Sequence, residues 1–162
     1  MPAEDAKILP LDPTPLVLVV DDELTPRSIA TRMVRSLGYH ARSCHSGRAA
    51  LRFLKAHPRE VRLLLADLAM PGMDGGELAE RAKDLDPRLI AVLKATPGDP
   101  QVAELLSGHR DLPFVPKPVS FGDLAEKLER LLGIPTGPAG SPPSMDAPRL
   151  SRRRRTSGHH EV

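Results

Sequence analysis

Apolar positions along the chain fall into two alternating patterns. Leu16-Val17-Leu18-Val19-Val20 is continuously apolar and rich in β-branched residues, too short for a helix and suited to a strand buried on both faces of a parallel sheet. Residues 61–66 and 89–93 read the same way, residues 39–44 predict a weaker strand, and Phe114-Val115 predicts a brief fifth one just before Pro116.

The stretches between repeat at helical spacing. Ile29, Met33, Val34 and Leu37 mark one helix, with Pro26 suited to its first turn. Ala50, Leu51 and Leu54 follow Ser46, a natural N-cap. Leu78, Ala82 and Leu85 mark a third helix, and Val102, Leu105 and Leu106 a short fourth. Ser120 with Asp123 three residues later resembles a capping box, opening a last helix with Leu124, Leu128, Leu131 and Leu132 inward. Five βα units in succession require right-handed crossovers and predict an α/β fold, a doubly wound five-stranded parallel sheet with helices on both faces. Ligands in such sheets bind at the carboxyl ends of the strands.

Those ends carry charge. Asp21-Asp22-Glu23 follows the first strand and Asp67 the third, so adjacent strands would bring three carboxylates together. Like charges that close are unfavourable unless a cation joins them, and a hard divalent ion such as magnesium suits oxygen donors. Lys117, between Pro116 and Pro118, adds a fixed positive charge after the fifth strand. With no Ser-His or Cys-His pair beside them, these residues suggest phosphoryl chemistry with an aspartate as nucleophile. Magnesium and lysine would neutralise the oxygens of the transferring group. Singly, each aspartate could equally be a helix cap or a solvated loop residue; it is the set that points to chemistry.

Composition narrows the partners. The 162 residues include one tyrosine, three phenylalanines and no tryptophan, which leaves little for an aromatic base-stacking platform and makes the core aliphatic. Cys44, the only cysteine, excludes an intramolecular disulfide or a multi-cysteine metal site and reads as a small strand residue. The start is acidic where a secretory signal would be basic, and no apolar run approaches the roughly 20 residues of a membrane span, so a soluble cytoplasmic protein with no membrane contact is expected.

Proline and charge mark the boundaries. Four of the 18 prolines lie in residues 1–15 and five in 134–162, predicting a disordered N-terminal arm, a domain over 16–133 and a disordered C-terminal tail. Residues 134–162 hold five arginines against Asp146 and Glu161, a net of +3; the chain's 23 basic and 21 acidic residues then leave 18 and 19 for residues 1–133, a net of −1. The run from Arg152 to Arg155 could attach to a polyanion by counterion release, but without a folded reader it is a weak signal for nucleic acid, and a solvated tail explains it. His159-His160 is too short for a metal site, and His40, His45, His57 and His109 lack ligand spacing.

Three segments, residues 17–23 (Val-Leu-Val-Val-Asp-Asp-Glu), Asp67-Leu68-Ala69-Met70-Pro71-Gly72-Met73-Asp74-Gly75 and Phe114-Val115-Pro116-Lys117-Pro118, resemble in sequence, order and spacing the signatures of two-component response-regulator receiver domains. The resemblance covers residues 16–132 and implies a flavodoxin-like sheet of strand order 2-1-3-4-5. It implies that Asp67 accepts a phosphoryl group from a phosphohistidine of a sensor kinase or phosphotransfer protein. It implies too that Asp22 binds Mg2+ directly, Asp21 through water, and that the Ala69 carbonyl completes the protein's share of the metal shell. Lys117 would pair with the phosphoryl group, Phe114 would hold the place of the aromatic switch, and Met70, Pro71 and Gly75 would shape the loop beyond the acceptor, where glycine can take a positive φ.

One departure stands out. Aligned without gaps between Asp67 and Lys117, the family's Thr/Ser-Ala-x-Gly-Asp motif becomes Ala95-Thr96-Pro97-Gly98-Asp99, so Ala95 replaces the switch hydroxyl. Thr96 could substitute only after a one-residue slip, which reverses side-chain faces. Residues 134–162 do not read as a folded helix-turn-helix or catalytic output domain, so a stand-alone response regulator is expected, catalysing only its own phosphorylation and dephosphorylation, and the resemblance implies that it signals by protein contact through residues 99–132. The alternative is a phosphorylation-insensitive interaction module of the same fold. A phosphohydrolase of similar fold would need an acid/base two residues after its nucleophile, where Ala69 stands.

Overall fold

A computed structural model of the chain describes residues 13–135; residues 1–12 of the N-terminal arm and the arginine run fall outside them. Ten elements alternate in order: β1 (Leu16–Val20), α1 (Leu24–Ser36), β2 (His40–Cys44), α2 (Gly47–Ala56), β3 (Val61–Asp67), α3 (Gly75–Leu85), β4 (Ile90–Ala95), α4 (Pro100–Ser107), β5 (Phe114–Pro116) and α5 (Phe121–Leu132). The strands form one parallel sheet in the order β2-β1-β3-β4-β5. This is the doubly wound arrangement expected.

Alternation along each strand divides the core. Val17 and Val19 of β1, Leu63 and Leu65 of β3, Val92 of β4 and Val115 of β5 pack under α1 and α5, against Ala30, Val34, Leu124 and Leu128. Leu18, Val20, Leu64, Ala66, Ala91, Leu93 and Ala95 face the other way, onto α2, α3 and α4 through residues such as Leu54, Leu78, Ala82 and Val102. The central strands β1 and β3 are covered on both faces and are almost wholly apolar. β2 lies at the edge with only Ala41 buried, which is why its sequence signal is weak.

The helix starts follow their caps. Ser46 accepts from the Ala49 N–H, Asp74 from Glu77, Asp99 from Gln101 and Ser120 from Asp123, each satisfying a backbone donor that the first turn leaves unpaired. Two expectations need adjusting. In α1 the buried stripe is Ala30, Thr31 and Val34, and Ile29 is 46% exposed. In α3 Leu85 is likewise exposed, at the end of the helix.

β4 runs two residues further than its apolar sequence suggests, through Lys94 and Ala95. A charged residue ends an apolar run on paper. Here the lysine is buried and ion-paired, so the strand continues beside Asp67 of β3, with Lys94 directly in register with it.

Candidate phosphoacceptor site

β1 and β3 are neighbours, so the ends of both strands meet at the same edge of the sheet. Asp21, Asp22 and Asp67 each offer a carboxylate oxygen there, and those oxygens all lie within 4.8 Å of one another. Asp21 and Asp67 are buried and Asp22 is exposed, so the cluster opens to solvent on the Asp22 side.

Asp67 is held on both oxygens. The Ala69 N–H donates to Oδ1 at 3.3 Å, and Lys117 Nζ donates to Oδ2 at 2.9 Å. Burial pushes the Asp67 carboxyl up from its ordinary value and Asp21 adds to the rise; the Lys117 hydrogen bond and charge, with Lys94, offset it only in part. Burial pulls Lys117 down, but the hydrogen bond and charge of Asp67, reinforced by Asp21 and Glu23, leave it above its ordinary value. The two shifts are not mirror images because Asp67 is the more deeply buried, its side chain 4% exposed against 28% for Lys117.

Asp21 is equally occupied. Its Oδ1 accepts from the Glu23 N–H at 3.0 Å and its Oδ2 from Lys94 Nζ at 2.5 Å, while Arg27 donates to its backbone carbonyl. Lys94 is the functional-site residue that sequence reading missed. The only signal available was a lysine between Leu93 and Ala95, at the end of a strand already assigned to the core.

The loop after Asp67 is shaped by two glycines with different duties. Gly75 was expected to serve by a positive φ, but it is the first residue of α3; the positive φ (78°) belongs to Gly72. Gly75 is needed because a Cβ there would collide with the Asp67 carbonyl oxygen and lie 2.9 Å from its carbon. Its N–H donates to the Leu68 carbonyl at 2.9 Å, closing the loop against β3. Met70 is buried beneath the loop and Pro71 lies on its surface.

Ala95 and Phe114 come together on one face of the sheet. Phe114 is in register with Leu93, two residues from Ala95, on the side covered by α3 and α4. Phe114 is 42% exposed and Ala95 is buried. Thr96 lies beyond the end of β4 and is exposed.

A doubly wound sheet with an acidic cluster at the β1 and β3 ends and a lysine reaching the β3 aspartate from beyond β5 defines an α/β domain with a carboxylate–lysine site at its strand ends. The sequence pattern of the response regulator receiver domain matches residues 17–129, and the chain belongs to that family. Similar proteins include the response regulator receiver protein CpdR of Brucella abortus, 32% identical over 72% of this chain and 95% of its own length. The two-component response regulator ORR3 of rice is 31% identical over 75% of this chain and 93% of its own. Among solved structures, the receiver domain of the hybrid histidine kinase CckA is 27% identical over 72% of this chain and 98% of that one, with a TM-score of 0.60. The chemotaxis protein CheY4 of Vibrio cholerae shares the fold at a TM-score of 0.64 and 21% identity, over 74% of this chain and 99% of that one.

The chain is thus a receiver domain of two-component signalling, a signalling module rather than an enzyme with a metabolite substrate. Among the described residues, no helix is long and apolar enough to cross a membrane.

Proposed function

We propose that Asp67 accepts a phosphoryl group from a phosphohistidine of a sensor kinase or phosphotransfer protein, and that the phosphorylated state is read by protein contact through residues 99–132. A stand-alone role of this kind is supported by the likeness to CpdR, whose own length is almost entirely matched. The single observation that carries the reading is the pairing of a buried aspartate with Lys117 inside an acidic cluster.

In the transfer, a carboxylate oxygen of Asp67 attacks phosphorus as the phosphorus–nitrogen bond breaks. The bonding electron pair returns to the imidazole, which is protonated from solvent. Lys117 orients the attacking carboxylate and then neutralises a phosphoryl oxygen. The Ala69 N–H, already directed at Asp67, is a second donor for the developing charge. The all-oxygen donor set of Asp21, Asp22, Asp67 and the Ala69 carbonyl fits a hard cation. Mg2+ bound there would supply positive charge to the transferring phosphoryl group.

The test is intact-mass detection of a phosphoryl group after incubation with acetyl phosphate and Mg2+, for wild type and Asp67→Ala. A gain in wild type alone is expected. No gain in wild type, from a folded sample beside a reactive control receiver, would overturn the acceptor role and favour the phosphorylation-insensitive module that Ala95 permits. The buried charges argue against that module, because a pure docking fold has no use for the expense of desolvating them.

A further inference from the structure

Lys94 is a cation in the interior of a receiver's acidic cluster, and the acceptor mechanism above gives it no part. It is 1% exposed, on the α1 and α5 face of the sheet with Val92. β4 is separated from β1 by β3, so the side chain reaches across the strand that ends in Asp67 to place its ammonium 2.5 Å from Asp21 Oδ2. Pro26 and Ala30 of α1 and Val119 line the cleft beside it, and the apolar stem packs there while the charged head meets the carboxylate.

We propose that Lys94 is a built-in partial substitute for the divalent cation: it occupies Asp21, lowers the cluster's negative charge, and so weakens and loosens the domain's dependence on Mg2+. The inference rests on Asp21, Asp22 and Asp67 being the metal-binding set. With Lys117 alone, three carboxylates would carry a net charge of −2, which one divalent ion cancels. With Lys94 as well the net charge is −1, and a divalent ion overshoots. The ion must also share Asp21, whose two oxygens are already engaged by Lys94 and the Glu23 N–H. Both effects oppose metal entry, while keeping the carboxylates together without metal.

The test compares Mg2+ binding by wild type, Lys94→Met and Lys94→Gln, by calorimetric titration and by amide shifts around Asp67 in the 15N-labelled protein. Removing the unit positive charge that contacts Asp21 should tighten Mg2+ binding by about tenfold or more in both variants. Saturating Mg2+ should also raise their melting temperature by more than it raises that of wild type. A purely structural lysine would leave the Mg2+ dissociation constant unchanged.

Equal affinity within about twofold, or weaker binding in the variants, overturns the proposal while leaving the metal site intact. No Mg2+ binding by any of the three proteins overturns the proposal and the metal-binding set together, whereas acceptor chemistry at Asp67 is read separately by mass. Should both variants unfold without metal, Mg2+-driven refolding reads the same quantity. Recovery below the wild-type dissociation constant supports the substitution, and no recovery at concentrations that saturate wild type overturns it.

Discussion

Ala95 and Phe114 face the same side of the sheet from adjacent strands, and the side chain at 95 ends at a methyl group. A phosphoryl group on Asp67 therefore finds no hydroxyl at 95 to draw inward, and little to couple its arrival to the ring. A charge-assisted hydrogen bond contributes about 1.5 to 3 kcal/mol, comparable with a typical allosteric coupling of about 1 to 3 kcal/mol. Ala95→Ser adds the missing hydroxyl with a single atom, and Ala95→Thr does so at greater packing cost in a buried position. Both variants are expected to enlarge the phosphorylation-induced change in the Phe114 ring resonances; an unchanged response would show that coupling runs by another route.

Ala69 lies exposed two residues beyond Asp67, the proposed acceptor, and Pro97 is exposed beyond β4. Neither offers a polar side chain to orient water towards an acyl phosphate. Slow self-dephosphorylation is expected, with faster loss from Ala69→Asn, by about tenfold if the amide supplies general positioning of the water. Following phosphoprotein decay by mass after removal of the phosphodonor checks this, and faster loss from wild type would refute it.

His109 had no role assigned from sequence, yet it fills the space against α3. It lies in the connection after α4, its Nδ1 is 3.5 Å from Glu80, and its side chain is 16% exposed. A Cβ at Gly76 would run directly into its ring. Gly76→Ala should therefore destabilise the domain by about 1 to 3 kcal/mol through overpacking, despite alanine's better helix propensity. In the double variant with His109→Ala the penalty should largely disappear, a non-additivity readable by urea unfolding. Additive losses would mean that the ring simply moves aside.

The sheet was legible because its strands announce themselves. β1 and β3 are unbroken apolar runs, and the acidic and lysine positions sit at the strand ends where open sheets present their sites. What could not be read was anything decided by pairing across the fold. Lys94 looks like a strand terminator until Asp21, 73 positions away, is seen to satisfy it. Gly75 looks like a turn residue until the Asp67 carbonyl is found against it. Ile29 fits a helical stripe, but the actual contact surface of α1 is centred on Ala30, Thr31 and Val34. In each case the local pattern was overridden by packing that the local sequence does not show, from across the sheet for Lys94 and from only eight residues away for Gly75.

The end of the domain is held by such a distant partner as well. Tyr39 is 3% exposed, and its hydroxyl donates to the Gly133 carbonyl at 2.7 Å, tying the start of β2 to the residue that caps α5. Burial raises the Tyr39 phenol above its ordinary value, and the charge of Glu129 adds to the rise. A group whose pKa is higher in the folded than in the unfolded chain stabilises fully below its unfolded value, near 10, and loses that contribution as pH climbs through the folded one. Tyr39→Phe should then cost about 1 kcal/mol at neutral pH, where the hydrogen bond is intact. The gap between wild type and variant should close above about pH 10, because only wild type must bury a phenolate or give up its proton on unfolding. Urea denaturation of both proteins at about pH 8 and about pH 10.5 isolates the effect, since lysine titration is common to the two and cancels in the difference. A gap that persists undiminished at the higher pH would mean that the phenol does not titrate in that range or that its ionisation is not linked to folding.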